Sequence, residues 1–91
     1  MARSKANQLS LIKDLIRRKV SFCKRRRGLL RKAIEMSMMC NKRIVMILLD
    51  PEKDKAIHFQ SDESFNLSDA ISTVTELHKK KAVEYFNNQD Y

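Results

Sequence analysis

Basic side chains recur every seven residues in the N-terminal third of the chain, a spacing that suits the binding of a phosphate-bearing polymer. On a helix, seven residues are about two turns, so each series lies along one side. Ser21 and Gly28, both small, fall between the two series. A glycine inside such a face lets another backbone approach closely, which favours phosphate binding over acid–base or nucleophilic chemistry. The two rows are Arg17, Lys24 and Arg31, and Arg18, Arg25 and Lys32.

The distribution of charge supports the same interpretation. Residues 1–32 contain twelve Lys and Arg against one acid, Asp14, whereas residues 33–91 contain seven against ten, giving net charges of +11 and −3. Such asymmetry predicts that the N-terminal third binds a polyanion, most simply a nucleic acid. The competing interpretation is a solvated charged face with an incidental glycine, and it is weakened because the chain's single glycine lies inside the stripe.

Catalytic and metal-binding patterns are absent from the sequence. His58 and His78 have no Cys, Ser or carboxylate partner at a recognisable spacing, and one glycine cannot build a glycine-rich phosphate loop. Cys23 and Cys40 fit no common zinc pattern and are interpreted as reduced thiols of an intracellular protein. The longest apolar run, residues 44–49, is far shorter than the roughly 18 residues of a membrane span. We therefore expect no enzymatic activity, no metal, no cofactor and no membrane partner.

The first part of the chain is predicted to be an arm followed by one long helix. Met1 to about Lys13 is polar and basic with weak periodicity, and is expected to be flexible. From Asp14 to about Cys40 there is no proline, and Asp14 is placed in the first turn, where the helix dipole favours an acid. Asn41 is the expected C-terminal cap. The side opposite the basic rows is apolar and is expected to face the core.

The middle of the chain is predicted to be a β-hairpin. Ile44–Leu49 is a continuous apolar run, Asp50–Asp54 is a turn cluster, and Lys55–Gln60 partly alternates. The first strand is expected to be the more deeply buried. Because it is apolar on both faces, two different surfaces must cover it: the long helix can supply one, and the other must come from the last segment or a second subunit.

A linker at 62–66 precedes a predicted second helix, which starts with Asn66 as cap and Asp69 three residues later. Its apolar stripe includes Leu67, Ile71 and Val74, flanked by Leu77, and it is expected to pack on the sheet. The helix is predicted to run to about Phe86, and residues 87–91 are expected to fray. The fold class is therefore α+β: long N-terminal helix, antiparallel hairpin, C-terminal helix.

The stretch from Lys19 to Cys40 reads KVSFCKRRRGLLRKAIEMSMMC and resembles the MADS-box family. The shared pattern is Val-Ser/Thr-Phe-x-Lys-Arg-Arg/Lys-x-Gly-Leu-x-Lys/Arg-Lys-Ala-x-Glu-Leu-Ser-x-Leu-Cys, and the likeness extends to about Ser61. The myocyte enhancer factor and serum response factor branch is the most similar. The resemblance divides the chain into an arm (1–13), a MADS-box (14–61) and a family-variable helical extension (62–91). After Cys40 the family usually has acids, whereas this chain has Asn41, Lys42 and Arg43, which could add phosphate contacts on bent DNA.

The resemblance implies a nuclear, sequence-specific transcription factor whose intertwined dimer, homomeric or with a related chain, binds A/T-rich duplex DNA. Arms in the minor groove would carry Arg3 and Lys5, and Lys24 would reach a base edge. The predicted DNA-binding residues are Arg3, Lys5, Arg17, Arg18, Ser21, Lys24, Arg25, Gly28, Arg31 and Lys32. The predicted dimer interface is Leu30, Ile34, Met38, Ile44, Met46 and Leu48. A groove for a coregulator helix is expected at Leu67, Ile71, Val74 and Leu77.

Two other binding classes fit part of the sequence. An RNA-binding or general architectural nucleic-acid-binding protein would use the same basic helix, although no aromatic-rich strand offers base stacking. A membrane-surface or calmodulin-target helix would leave the 44–49 run and the second helix unexplained.

Overall fold

A computed structural model of the protein describes residues 9–90 and has the order helix, strand, strand, helix. Helix α1 spans Leu15–Met39, strands β1 and β2 span Val45–Asp50 and Lys55–Gln60, and helix α2 spans Leu67–Lys79. A short 3₁₀ turn at Asn88–Asp90 follows. The α+β class and the order of elements are confirmed. Residues 9–13 have no regular structure, and Arg3 and Lys5 of the predicted arm lie outside the described residues.

Helix α1 is bounded by caps at both ends. The Asp14 carboxylate accepts hydrogen bonds from the amides of Ile16 and Arg17 at 2.9 and 3.3 Å. Asp14 is thus the N-cap and not a member of the first turn, which corrects the sequence-based placement, because its extended backbone turns the side chain toward the free amides. At the other end Asn41 adopts a φ of 55°, as expected for the residue that terminates the helix.

The hairpin is a two-stranded antiparallel sheet in which Met46 pairs with Phe59 and Leu48 with Ile57. These four apolar side chains share one face and are half-buried. On the other face Leu49 is 72% exposed. Neither strand contains a buried residue, so deeper burial of β1 is not achieved within one chain. Because side chains alternate between the two faces of a strand, these four half-buried residues share one face, whereas Ile47 and Leu49 on the other face stay exposed among residues 9–90.

Helix α2 begins as predicted and ends earlier than predicted. Asn66 and Asp69 form a reciprocal capping box, with hydrogen bonds of 2.9 and 3.1 Å. The helix stops at Lys79 and not near Phe86. Lys81 takes a left-handed φ of 56°, and the amide of Ala82 donates to the carbonyl of Leu77 at 2.9 Å. This Schellman arrangement closes the helix, although no glycine signals it in the sequence.

The surroundings of α2 differ from the prediction in two further respects. No residue of α2 is buried, and Ile71 is 59% exposed, so Leu67, Ile71 and Val74 do not pack on the sheet of their own chain. Of the residues expected to fray, Asn88–Asp90 have regular structure, and Tyr91 lies outside the described residues. Asn87 and Asp90 are joined by an amide-to-carboxylate hydrogen bond of 2.7 Å, which forms the short 3₁₀ turn in place of the expected frayed end.

The core of the described chain is very small. Ala33, 8% exposed, is its only buried residue. The radius of gyration is 15.7 Å, against about 12 Å for a compact domain of this length. Several α1 side chains on one side, among them Ile34 and Met38, remain exposed although they are apolar. One chain of this fold therefore exposes apolar side chains that would normally form a hydrophobic core.

Candidate nucleic-acid interface

The first half of α1 presents a basic hollow of about 420 Å³. Four of the predicted DNA-binding residues come together in it, and apolar side chains from the start of the helix complete its walls. The lining residues are Ile12, Ile16, Arg17, Val20, Ser21, Lys24 and Arg25. The seven-residue spacing read from the sequence therefore does bring Arg17 and Lys24 to one side of the helix.

The cations of this hollow are free of carboxylate partners. Arg25 donates from Nε to the hydroxyl oxygen of Ser21 at 3.1 Å, one helical turn away, which directs its guanidinium along the helix. Within residues 9–90, no ion pair involves Arg17, Lys24, Arg25 or Arg31. Uncompensated cations on a solvated face retain their full attraction for a polyanion.

Lys32 and Gly28 extend the same face toward the C-terminus of the helix. Lys32 is 3.9 Å from Glu35, and both side chains are largely exposed, so this pair holds the ammonium only weakly. A Cβ at Gly28 would meet nothing within 4 Å, and its φ is not positive. The fold of the described chain therefore does not require a glycine at this position.

Arg18, another predicted DNA-binding residue, does not line the basic hollow. Its guanidinium donates from Nη2 to Glu52 of the hairpin turn at 2.7 Å and from Nη1 to the carbonyl of Ile12 at 2.8 Å. It lines a second hollow of about 450 Å³, between α1 and the hairpin turn, together with Phe22 and Leu48. The helical position of Arg18, at the edge of the basic face, places it within reach of that turn.

Sequence reasoning missed two further arginine contacts. The guanidinium of Arg26 lies 5.5 Å from the centre of the Phe22 ring, and that of Arg43 lies 4.8 Å from the centre of the Phe65 ring. For Arg26 the four-residue spacing from Phe22 was a usable signal. For Arg43 no local pattern exists, because Phe65 is far along the chain.

The described part of the chain shows no metal-binding cluster. No group of three or more His, Cys, Asp or Glu side chains comes together in residues 9–90. Cys23 and Cys40 are free thiols, the former half-buried and the latter exposed. Across the same residues, neither helix has the length and apolar character needed to cross a bilayer.

Comparison with known protein families agrees with this geometry. The family model for SRF-type transcription factors, described as their DNA-binding and dimerisation domain, matches residues 11–59, more than half of the chain. The chain belongs to the SRF-type transcription factor family. The match runs from the entry of α1 to the end of the hairpin and therefore includes the basic hollow, Arg18 and Glu52. A family of transcription factors, not of enzymes, is the family found.

Relatives of this SRF-type domain are MADS-box proteins, which confirms the resemblance. The chain is 39% identical over 71 residues to "MADS-box protein SOC1" of Arabidopsis thaliana, covering 78% of this chain and 31% of that protein. Two Agamous-like MADS-box proteins of the same plant, AGL12 and AGL19, are 46% identical over 52 residues and 31% identical over 88. These alignments cover 57% and 97% of this chain and 24% and 36% of the relatives. The chain thus spans about a third or less of their length. Assignment to the enhancer-factor branch stays a prediction.

Proposed function

We propose that the chain forms a dimeric, sequence-specific DNA-binding module of a nuclear transcription factor that recognises A/T-rich duplex DNA. The observation that carries the proposal is the row of unpaired cations around the hollow on α1, in the segment matched by the SRF-type family. Guanidinium and ammonium groups along one face of a helix can neutralise phosphates of a duplex, and releasing counterions there supplies the affinity.

Different residues of this face are assigned different tasks. Lys24, which lines the hollow, is assigned to a base edge, and Arg17, Arg25, Arg31 and Lys32 to phosphates. Ser21 and Gly28 are the small residues that let α1 lie close to the duplex. The arm is assigned to the minor groove through Arg3 and Lys5, because a narrow A/T groove concentrates negative potential that attracts basic side chains.

Dimerisation is proposed because the single chain leaves too much apolar surface uncovered. Ala33 is the only buried residue among residues 9–90, so burial within one chain contributes little stability, and burial of apolar area against a second copy supplies the remainder. The proposed interface joins the apolar side of α1 to the first strand of each hairpin. Its residues are Leu30, Ile34 and Met38 on the helix, and Ile44, Met46 and Leu48 at the strand. A homodimer or a heterodimer with a related chain would satisfy this requirement.

The proposed extension 62–91 follows the MADS-box at 14–61 and carries the exposed stripe of α2. An amphipathic helix of a coregulator is the proposed ligand of Leu67, Ile71, Val74 and Leu77. Leu77→Glu tests this surface, since it should abolish coregulator recruitment and leave DNA binding intact. Loss of dimer stability in this variant would instead assign α2 a purely structural role.

One titration series tests the central proposal. The purified chain is mixed at equal salt with an A/T-rich duplex, a random-sequence duplex, a structured RNA and anionic vesicles. Preference for the A/T-rich duplex supports the proposal, and tighter binding to RNA or vesicles contradicts it. Deleting residues 1–7 should leave the chain folded and reduce discrimination between the two duplexes, while a fluorescent fusion should accumulate in the nucleus.

A further inference from the structure

The hairpin turn reaches the DNA-binding helix through one acid. Glu52 Oε1 lies 2.7 Å from Nη2 of Arg18, 34 residues away in the sequence. Of the three ion pairs found within residues 9–90, this is the only one between distant elements; the other two join residues three apart on one helix. It ties the basic face of α1 to a loop that contributes no cation to the hollow around Lys24.

The position of Glu52 is fixed by the turn itself. The side chain of Asp50 accepts from the amide of Glu52 at 3.1 Å, and its carbonyl accepts from the amide of Lys53 at 3.3 Å. Asp54 completes the turn with a φ of 53°. These contacts direct the Glu52 carboxylate back toward α1. Because the turn is already held by its own hydrogen bonds, the ion pair with Arg18 forms without any further ordering of the loop.

Arg18 is equally restrained. Its second donor is used by the Ile12 carbonyl at 2.8 Å, and its side chain is 23% exposed, against 59% for Glu52. Its stem lies in the hollow that Leu15 and Phe22 also line. The guanidinium is therefore held on the hairpin side of the helix, away from Arg25 in its own row.

Carboxylates and phosphates use the same donors of a guanidinium, and both take them in pairs. A phosphate that takes the Nη2 donor bound by Glu52 must displace that carboxylate, and the displacement costs the ion pair. We propose that Glu52 is an affinity-determining residue for DNA, which withholds Arg18 from the phosphate-binding face of α1. The inference rests on the proposed DNA-binding function and adds to it a residue that itself contacts no DNA.

The strength of this restraint can be estimated. Exposed ion pairs of this kind change an equilibrium by about 1.5- to 5-fold. Glu52→Gln removes the charge and keeps the shape, so each chain should bind DNA about 2- to 5-fold more tightly, on A/T-rich and random duplex alike. If Arg18 then takes a phosphate, the slope of log affinity against log salt steepens by about 0.9 per chain.

The experiment measures duplex affinity from low to moderate salt for the full chain and four variants. These are Glu52→Gln, Arg18→Ala, the double variant and Asp54→Asn. Asp54→Asn is the matched control, because it removes the same charge from the same turn, asparagine tolerates the same positive φ, and Asp54 has no contact with Arg18. The exchange of the Arg18 guanidinium protons with water is measured by NMR without DNA.

The inference requires that Glu52→Gln tighten DNA binding and steepen the salt slope. The double variant with Arg18→Ala should lack this gain, and Asp54→Asn should show neither effect. Faster exchange of the Arg18 protons in Glu52→Gln should accompany the gain. Equal gains in Glu52→Gln and Asp54→Asn would overturn the inference in favour of a general charge effect, and weaker binding by Glu52→Gln would make the pair a positioning contact. If the chain binds duplex normally but Glu52→Gln is unchanged, only this inference fails. If no variant binds duplex, the proposed function fails, and this inference with it.

Discussion

The guanidinium carbon of Arg43 lies 4.8 Å from the centre of the Phe65 ring, and the contact joins the entry of the hairpin to the linker before α2. Two neighbouring hydrogen bonds support the same junction, since the amide of Ile44 donates to the Ser61 hydroxyl and the amide of Ser61 to the Ile44 carbonyl, both at 3.0 Å. Arg43 therefore has a partner within the chain, whereas its position after Cys40 suggested only a phosphate contact.

The Arg43–Phe65 contact predicts a measurable coupling. Arg43→Gln and Phe65→Leu should each lower the free energy of unfolding. The loss in the double variant should be smaller than the sum of the two single losses by about 0.5–1 kcal/mol. Urea denaturation of the four proteins measures this. Strict additivity would mean that the ring and the guanidinium do not interact. An unchanged salt dependence of DNA binding in Arg43→Gln would separate this role from phosphate binding.

Asp62, beside this junction, predicts a pH effect. The Ser64 hydroxyl donates to its carboxylate at 2.7 Å and the Ser64 amide at 3.0 Å, and these bonds, with Arg43 at longer range, hold the pKa of Asp62 below its usual value. A lowered pKa favours the charged form in the folded chain, so the stabilisation is present above the usual pKa of an aspartate and is lost as the pH falls through the lowered pKa. Ser64→Ala should raise the pKa of Asp62, followed by NMR of its carboxyl carbon, whereas Ser61→Ala should not.

Dimerisation predicts a sharp contrast between two adjacent methionines of α1. Met38 is 78% exposed and lies on the same side as Ile34, whereas Met39, also exposed, lies on the basic face with Ser21. Met38→Lys should weaken the dimer at least about 100-fold, because each chain loses the burial of one methionine side chain and must desolvate an ammonium. Met39→Lys should leave it intact. Analytical ultracentrifugation without DNA measures both, and a well-folded monomer in the unmodified chain would refute the interface.

Features set by neighbouring residues could be predicted from this sequence. The terminator Asn41, the capping box of Asn66 with Asp69, and the strand Lys55–Gln60 each depend on residues within a few positions. The early end of α2 could not be predicted in the same way, because a lysine, Lys81, adopts the left-handed conformation that glycine or asparagine usually provides.

Contacts between elements that are distant in the sequence could not be predicted for the candidate site. Helical projection placed Arg18 in the second basic row, but it could not reveal that Glu52, in a turn 34 residues away, would contact it. Likewise, the apolar pattern indicated that a packing surface is needed on each face of β1. The exposed side chains of one chain do not identify the second of these surfaces. A sequence pattern gives the direction of a side chain, whereas its partner depends on how the elements are arranged.

Lys24 and Lys32 should behave differently when each is changed to alanine. Lys24 lies within the hollow between Arg17 and Arg25, whereas Lys32 is exposed beside Glu35. Lys32→Ala should weaken binding to every duplex alike and reduce the salt slope by about 1. Lys24→Ala should relax sequence preference by about 1–3 kcal/mol if it reads a base edge. Competition binding with A/T-rich and random duplexes distinguishes them, and equal losses on both duplexes would make Lys24 a phosphate contact only.

Gly28 should show opposite effects on stability and on binding. Because a Cβ there meets nothing within 4 Å, Gly28→Ala should raise the stability of the DNA-free protein by about 0.5–1 kcal/mol through the higher helix propensity of alanine. If α1 lies against a sugar–phosphate backbone at this point, the added methyl group should cost about 1.4 kcal/mol in binding, a tenfold loss.

Ser37→Ala is the matched control for Gly28→Ala, since it also raises helix propensity but lies off the basic face, where the Ser37 hydroxyl donates only to the carbonyl of Ile34. It should leave DNA affinity unchanged. Urea denaturation and duplex titration are measured on the same samples. A Gly28→Ala variant that is more stable and binds as tightly as the unmodified chain would show that the glycine faces solvent and that α1 does not approach the duplex there.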